Sequence, residues 1–289
     1  MSTQARIYTA CQELGDCVIL HPSFKDARDG ICQLVQQAEF SGLPFGATVI
    51  GESGSGKTTL MRAIVKQMPS QDLLGERPSA LCISAQSCPT IGDLLTKMAR
   101  ELGFPVVVRG NRLSDMSVHL ISALKDRAVR AIFIQDFQHL YRGARDKSAA
   151  GITDWLKQIA EDAGIVVVLF ATPELGDLSH LNLQLHTRAP ARFRLSPFPR
   201  DENWIAFLKG VAGRCSALDW SPIYEKYERD LHVVTQGLAR PLKQLLSAAA
   251  TCVLRVDGTK LSADVFSQAH RLVFGTDSSV PNPFQGRVK

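Results

Sequence analysis

Residues 51–58 read GESGSGKT and follow directly on the apolar run GATVIG at residues 46–51. The glycines at positions 51, 54 and 56 let the backbone curl so that successive N–H groups point towards one centre. Lys57 and Thr58 open a segment with the spacing of an amphipathic helix, and a helix N-terminus carries a partial positive charge. A strand, a glycine-rich loop and a helix in this order predict a phosphate-binding loop of the G-x-x-x-x-G-K-[ST] type.

This loop predicts ATP and Mg²⁺ as ligands. We expect the Lys57 ammonium to reach the β- and γ-phosphates and the Thr58 hydroxyl to coordinate the metal. The alternative is a Gly/Ser-rich turn that matches the pattern by accident, and the flanking strand and helix argue against it. The residues expected to bind the nucleotide are Gly51, Glu52, Ser53, Gly54, Ser55, Gly56, Lys57, Thr58 and Thr59.

Further apolar runs alternate with segments of helical periodicity along the first two thirds of the chain. The runs lie at 80–85, 130–135, 164–171 and 192–195. The helical segments between them lie at 58–67, 90–102, 114–128 and 150–162. Strand and helix alternation of this kind predicts an α/β fold, with a parallel five-stranded sheet covered by helices.

The pattern changes after the Pro-rich stretch SPFPR at residues 196–200. Helical spacing continues at 201–214, 221–235, 239–255 and 261–273, with no convincing strand. The last residues are polar and contain proline, which favours a loose tail. We therefore expect a weakly patterned N-terminal extension (1–20), an α/β core (21–198), a helical subdomain (199–274) and a flexible C-terminal tail (275–289).

Composition limits the class of protein. The chain has 289 residues, 45% of them hydrophobic, which is enough for one substantial core and a smaller one. Its net charge of +5 permits contact with nucleic acid but does not require it. Seven cysteines without Cys-x-x-Cys spacing do not predict a zinc site and fit idle thiols in a reducing cytosol. No signal peptide pattern and no apolar run of about 18 residues is present, so we expect a cytoplasmic protein.

The run AIFIQ ends in the pair Gln135-Asp136, where most ATPases have Asp-Glu. Counting four apolar residues places Gln135 at the metal-side position and Asp136 at the position that activates water. Because neighbouring residues on a strand point to opposite faces, Asp136 is not expected to replace Gln135 without a backbone shift. Gln135 carries no charge to offset Mg²⁺, so we expect retained ATP binding and weak hydrolysis. An alternative makes Asp136 the metal ligand, and a further one makes 131–136 only a core strand.

Three blocks together resemble one family of ATPases. GESGSGKTT, FIQDFQHL and LFATPELGDL…QLHTRAPARF are similar to the transposition AAA+ ATPases of the TniB/TnsC/MuB group, and most similar to TniB. Phe137, Gln138 and His139 match the family's second block in register, and Ala171-Thr172-Pro173-Glu174 departs from its usual Gly-Thr-Pro-Glu in one position. The resemblance covers roughly residues 20–255 and implies an AAA+ core in which the C-terminal helices form a lid.

The resemblance also implies roles for residues outside the phosphate loop. Thr172 corresponds to sensor 1, with a strand-terminal cap as the alternative. Arg192 or Arg188 corresponds to an arginine that reaches the nucleotide of the next subunit, and Arg192 is preferred because Arg-Phe is usual there. Arg240 in GLAR corresponds to sensor 2. For each arginine the alternative is an ordinary surface charge. Thr58 and Asp136 would hold Mg²⁺, and Gln135 would contact it through water.

Two further basic stretches are candidates for contacts with DNA phosphates. They contribute Arg109 and Arg112, and Arg142, Arg145 and Lys147. Such contacts carry little sequence information, and ordinary surface charge is the alternative for each cluster. The resemblance implies a ring or filament on double-stranded DNA that recruits a transposase and, where one exists, a TniQ-type adaptor. The rival hypotheses are a helicase loader or IstB-like ATPase, and an ExeA-like or signalling NTPase without a DNA role. A small-molecule kinase fits the all-helical C-terminal part least.

Overall fold

The computed structural model describes residues 2–42, 46–68, 79–88, 90–103, 113–140, 146–176, 189–277 and 279–285. The chain divides into two compact units. The α/β unit comprises Pro22–Ser53 and Lys57–Leu195, and the helical unit comprises Met1–His21, Gly54–Gly56 and Ser196–Lys289. Three residues of the phosphate loop thus group with the helical unit, although the strand and the helix beside them belong to the α/β unit.

The described strands of the α/β unit form one parallel sheet in the order β2-β3-β4-β1-β5. The strands are β1 (Gly46–Gly51), β2 (Ala80–Ser84), β3 (Ala131–Gln135), β4 (Val166–Ala171) and β5 (Ala191–Leu195). Each begins and ends within two residues of the apolar run that predicted it. The parallel five-stranded sheet expected from the sequence is confirmed.

The burial of each strand follows from its position in the sheet. All six residues of β4 are buried, and so are the first four of β3, because helices cover both faces of the central strands. In β5 partly buried residues alternate with exposed ones, as expected for an edge strand. β2 is the next strand of the chain after β1, but the two strands are not neighbours in the sheet. β4 and β5 lie on either side of β1.

Four helices of the α/β unit correspond to predicted segments, whereas the first, α2 (Pro22–Ser41), was not predicted. The four are α3 (Lys57–Gln67), α4 (Ile91–Glu101), α5 (Leu113–Asp126) and α6 (Asp146–Ala163). A capping box starts α4, where the Thr90 hydroxyl accepts the Asp93 N–H and the Asp93 carboxylate accepts the Thr90 N–H. A close approach fixes α2 against β5, because a Cβ on Gly30 would lie 2.6 Å from the Phe193 ring.

The helical unit is built around aromatic side chains. Its helices are α1 (Thr3–Asp16), α7 (Glu202–Ala212), α8 (Pro222–Glu225), α9 (Glu228–Thr235), α10 (Ala239–Arg255) and α11 (Ala263–Phe274). Trp204 is fully buried, and its indole N–H donates to the Glu228 carbonyl at 3.0 Å. Tyr227, Phe266 and Phe284 pack their rings together, with centroids 5.0–6.1 Å apart.

Three features of the helical unit differ from the sequence-based expectation. Residues 1–20 include a regular helix, which the sequence did not indicate because only two of its residues, Ala10 and Leu14, are buried. The segment 221–235 is two helices, since the buried Tyr227 interrupts it. The tail expected to be loose inserts Phe284, which is 1% exposed, into the aromatic core.

Candidate nucleotide site

The loop between β1 and α3 has left-handed backbone at two of its three glycines, whereas Gly51 is the last residue of β1. Gly54 has φ +88 and Gly56 has φ +104, values that side chains with a Cβ rarely adopt. No atom lies within 4 Å of a Cβ added at Gly56, so glycine is required there by conformation alone. At Gly54 an added Cβ would also lie 3.2 Å from Arg240 Cβ, so space adds to the requirement.

Lys57 and Ser55 carry the polar groups of this loop. The Lys57 ammonium donates to the Gly51 carbonyl at 2.6 Å and to the Glu52 carbonyl at 2.9 Å, so it is held above the loop. The Ser55 side chain is 7% exposed, and its hydroxyl is buried without a hydrogen-bond partner among the described residues. A buried hydroxyl without a hydrogen-bond partner is unfavourable. An anion bound in the loop would accept a hydrogen bond from this hydroxyl.

The carboxyl end of β3 carries the uncharged Gln135. It is the last residue of the strand and lies opposite Ser84 of β2. Its amide nitrogen donates to the Met61 sulfur of α3 at 2.9 Å, and a thioether is a weak acceptor. The assignment of Gln135 to the metal-side position stays a prediction.

Asp136 leaves the strand by a sharp change of backbone direction. Its φ of +54 lies in the left-handed region, which aspartate and asparagine enter more readily than other residues with a Cβ. Its carbonyl accepts the His139 N–H at 3.0 Å at the start of the 3₁₀ turn Phe137–Leu140. The alternation of side chains along a strand therefore stops at Gln135, and the sequence argument that gave residues 135 and 136 opposite orientations does not apply.

Thr172 follows β4 and is held by a residue to which sequence reasoning gave no role. Its backbone N–H donates to the side-chain oxygen of Gln138 at 3.3 Å, and Gln138 is 7% exposed. The Thr172 hydroxyl is buried and has no partner within the described part of the chain. Gln138 thus links the turn after β3 to the end of β4. It binds the backbone N–H of Thr172 and not the Thr172 hydroxyl. The only sequence signal for Gln138 was its place in the block FIQDFQHL. The spacing of residues did not assign it a contact with Thr172.

Arg240 lies beside the phosphate loop within the helical unit. It is the second residue of α10, and its backbone N–H donates to the Gly54 carbonyl at 3.1 Å. The start of α10 is therefore in direct contact with the glycine-rich segment. The assignment of its guanidinium to sensor 2 stays a prediction.

The other predicted arginines lie apart from this loop or outside the described residues. Arg192 is exposed on β5 opposite Thr48, three residues before the pair Gly51 and Leu195 at the strand ends. Its assignment as a trans arginine stays a prediction. Arg109, Arg112, Arg142, Arg145 and Arg188 lie outside the described residues. Lys147 belongs to α6, and its side chain is not among those described.

The chemistry of these residues fits a nucleoside triphosphate with Mg²⁺. The positive φ values, the Lys57 ammonium and the unpartnered Ser55 hydroxyl are the features that a phosphate chain would use. Thr58, Asp136 and Gln135 offer oxygen atoms, which Mg²⁺ prefers as ligands. Asp136 is the single carboxylate of this set.

Two searches of the described residues gave negative findings. No group of three or more His, Cys, Asp or Glu side chains is arranged there to hold a metal ion. No helix in the ranges that the structure describes has the length and the apolar character needed to cross a membrane.

Comparison with known families gives a match to the α/β core. Residues 46–178 match the family model described as AAA domain. This region begins with β1 and extends past β4, so it contains the phosphate loop and the Gln135-Asp136 pair. No curated protein sequence matches the chain.

Solved structures resemble the chain over most of its length. The ORC2 protein of Aeropyrum pernix, with ADPNP and ADP, has a TM-score of 0.66 at 20% identity, covering 86% of this chain and 67% of that one. The ORC1 protein of the same organism, in complex with DNA, has a TM-score of 0.68 at 15% identity, covering 89% and 66%. Cdc6p of Pyrobaculum aerophilum has a TM-score of 0.63 at 16% identity, covering 89% and 69%.

At these identities the likeness concerns the fold, and the chain spans about two thirds of the length of the proteins it matches. The match to the AAA domain, the phosphate loop and the sheet order agree with one another. Residues 46–178 therefore match an AAA domain that includes the phosphate loop, and the chain has the α/β AAA+ fold seen in the Orc and Cdc6 structures.

Proposed function

We propose that this protein is an ATPase that binds duplex DNA in a form controlled by its bound nucleotide. The observation that carries the proposal is the phosphate loop, in which Gly54 and Gly56 have positive φ and the Ser55 hydroxyl is buried without a partner among the described residues. Lys57 would bind the β- and γ-phosphates, and the Ser55 hydroxyl would donate to a phosphate oxygen. When bound, Mg²⁺ would neutralise charge on the phosphates.

Hydrolysis in this proposal is slow. Gln135 is uncharged, and its amide nitrogen is engaged by Met61 at 2.9 Å. Asp136 would act at the water-side position with a side chain one methylene shorter than glutamate. Because ATP binding favours the assembled state and hydrolysis removes that preference, slow hydrolysis would prolong each assembly on DNA.

The finer proposal is a regulator of DNA transposition. It rests on the resemblance of three blocks of this sequence to the TniB/TnsC/MuB group, including Phe137-Gln138-His139 and Thr172-Pro173-Glu174. In this role, copies of the chain assemble as a ring or filament on target DNA, recruit or activate a transposase, and contact a TniQ-type adaptor where one exists. Arg192 would act on the nucleotide of the neighbouring copy.

The second candidate is a replication initiator or helicase loader. The specific observation in its favour is the likeness of fold to the Orc and Cdc6 structures, one of which was solved in complex with DNA. Both candidates share ATP binding and DNA contact. They differ in the partner, which is a transposase in the first and a replicative helicase in the second.

Electron microscopy of the full chain with duplex DNA tests the shared part of the proposal. Samples with and without a non-hydrolysable ATP analogue would be compared. We expect rings or filaments only with the analogue, and isolated monomers in both samples would contradict the proposal.

Filter binding then separates the candidates, because preference for single-stranded over duplex DNA favours the helicase loader. Failure to bind either DNA at low salt with ATP favours a signalling NTPase.

A further inference from the structure

The helical unit contains two buried cysteines in one hydrophobic cluster. Cys17 follows α1, Cys215 follows α7, and each is 5% exposed. The segments that carry them meet, because Ser216 donates through its N–H and its hydroxyl to the Glu13 carboxylate at 2.8 and 2.7 Å. The two cysteines are therefore neighbours in the folded protein.

Two cations surround the Cys17 end of this pair. The Lys243 ammonium donates to the Gly15 carbonyl at 2.9 Å and to the Cys17 carbonyl at 2.6 Å. The Arg214 guanidinium donates to the Val18 carbonyl. The hydrogen bond from Cys215, aided by Lys243 and Arg214 against the effect of burial, lowers the pKa of Cys17 to about 7. The same hydrogen bond and burial raise the pKa of Cys215.

Cys17 lies at the edge of the helical unit, although only 5% of it is exposed. It lines an open groove of about 530 Å³ together with Tyr8, Gln12, Glu13, Asp16 and Arg214. A small molecule in this groove would therefore meet the thiol that ionises near neutral pH, and the thiolate is the reactive form of cysteine.

We propose that Cys17 and Cys215 are an oxidation site that reacts with a low-molecular-weight disulfide such as glutathione disulfide. The Cys17 thiolate attacks one sulfur of that disulfide, so a mixed disulfide forms and one thiolate leaves. Cys215 then loses its proton and attacks the Cys17 sulfur, which releases the second thiol. The protein pair gives up two electrons and two protons, and the small disulfide is reduced to two thiols.

The other cysteines of the helical and α/β units lack this arrangement. Burial raises the pKa values of Cys32, Cys82 and Cys252, and that of Cys82 rises to about 11. The Cys32 thiol donates to the Gln67 side-chain oxygen at 3.6 Å, which is a contact with a group that cannot form a disulfide. We therefore expect Cys17 to react before Cys32, Cys82 and Cys252, a preference that the sequence-based expectation of idle thiols did not include.

Peptide mapping of the full-length protein tests the site. The reduced protein is incubated with glutathione disulfide at pH 7.5, quenched by acid and alkylated. We expect a linked pair of peptides that contain Cys17 and Cys215, and its removal by dithiothreitol. C215S should stop at glutathione bound to Cys17, C17S should form neither product, and the control C252S should behave like the wild type.

Two results would overturn the proposal: no linked peptide in the wild type, or glutathione on other cysteines at the same rate as on Cys17. If the serine variants do not fold, the pH dependence of alkylation in the wild-type protein still tests the proposal. Alkylation of Cys17 by iodoacetamide should have a midpoint near pH 7 and be about tenfold faster at pH 7 than that of an ordinary thiol, whose pKa is about 8.5. K243M should raise this midpoint, and a wild-type midpoint near pH 8.5 would contradict the role of Cys17.

Discussion

The carboxyl ends of β1 and β3 both enter left-handed backbone, but with different residues. After β1 the chain uses glycine, with φ +88 at Gly54 and +104 at Gly56. After β3 it uses Asp136, with φ +54. The first end has the full phosphate-loop pattern, whereas the second has Gln-Asp where Asp-Glu is usual. This difference supports the proposal that binding and hydrolysis of ATP depend on separate parts, and that only the parts for binding match the usual pattern.

This separation has a consequence for the cycle of the protein. Binding energy from the phosphate loop can favour an assembled state even if turnover is slow, since the shift of an equilibrium depends on differential affinity and not on rate. Variants that change one strand end at a time therefore test this separation. Each asks whether ATP binding and hydrolysis respond separately.

The largest effect is expected from Lys57→Ala. Removing the ammonium deletes charge-assisted hydrogen bonds to the phosphates, which together contribute about 3 kcal/mol. We expect the Kd for ATP to rise about 100-fold, measured by the fluorescence of a labelled ATP analogue. Lys66→Ala is the matched control, because Lys66 is an exposed residue in the last turn of the same helix.

A similar loss of affinity in Lys66→Ala would show that general charge, and not the loop, attracts the nucleotide. An unchanged Kd in Lys57→Ala would contradict the assignment of the phosphate loop itself.

Stability should respond in opposite directions at the two strand ends. Gly54→Ala forces a Cβ into φ +88 and to 3.2 Å from Arg240 Cβ, so we expect the free energy of unfolding to fall by about 2 kcal/mol. Asp136→Gly relieves the left-handed aspartate and should leave this free energy unchanged or raise it by about 0.5 kcal/mol. Urea denaturation measures both values.

Gly151→Ala is the control for a glycine without these constraints, since it lies inside α6 with no atom within 4 Å of an added Cβ. It should stabilise the protein by about 1 kcal/mol. Destabilisation by Asp136→Gly would indicate that the aspartate side chain holds the turn, and would contradict the interpretation of this position as a strained one.

The two strand ends also differ in how far the sequence predicted them. The loop after β1 was predicted residue by residue, because its spacing encodes a local backbone that depends on near neighbours. The contact between Gln138 and Thr172 was not, because it joins residues that follow two neighbouring strands and depends on the order of the sheet. The contact of Arg240 with Gly54 is also long-range in sequence.

Periodicity predicted the five strands and most helices, since each is a local pattern of apolar residues. It missed α2, and it missed α1, whose buried residues are only Ala10 and Leu14. It also missed the insertion of Phe284, since a single aromatic residue in a polar tail carries no period. The roles of Arg192 and of the basic residues at 109, 112, 142, 145 and 147 stay predictions.

Restoring the usual pair at β3 should increase hydrolysis. Gln135→Asp with Asp136→Glu supplies a charge for Mg²⁺ and a longer carboxylate at the water-side position. We expect kcat to rise about tenfold, which corresponds to about 1.4 kcal/mol in the barrier, while the Kd for ATP changes little. Release of phosphate over time is the measurement.

The single variant Gln135→Asp separates the two contributions, because it adds the charge and leaves the left-handed Asp136 unchanged. An equal or lower rate in the double variant would contradict the alignment of Gln135-Asp136 with Asp-Glu. A large change in the Kd for ATP would contradict the separation of binding from hydrolysis.

The smallest effect is expected at Gln138, which positions Thr172 and is not expected to touch the nucleotide. Gln138→Met removes the oxygen that accepts the Thr172 N–H and leaves that buried donor without a partner, at a cost of about 1 kcal/mol. If the Thr172 hydroxyl acts in hydrolysis, kcat should fall about fivefold while the Kd for ATP is unchanged. Gln138→Glu keeps an accepting oxygen and should restore part of kcat. A fall in kcat that Thr172→Val does not reproduce would show that Gln138 acts on the fold and not through Thr172.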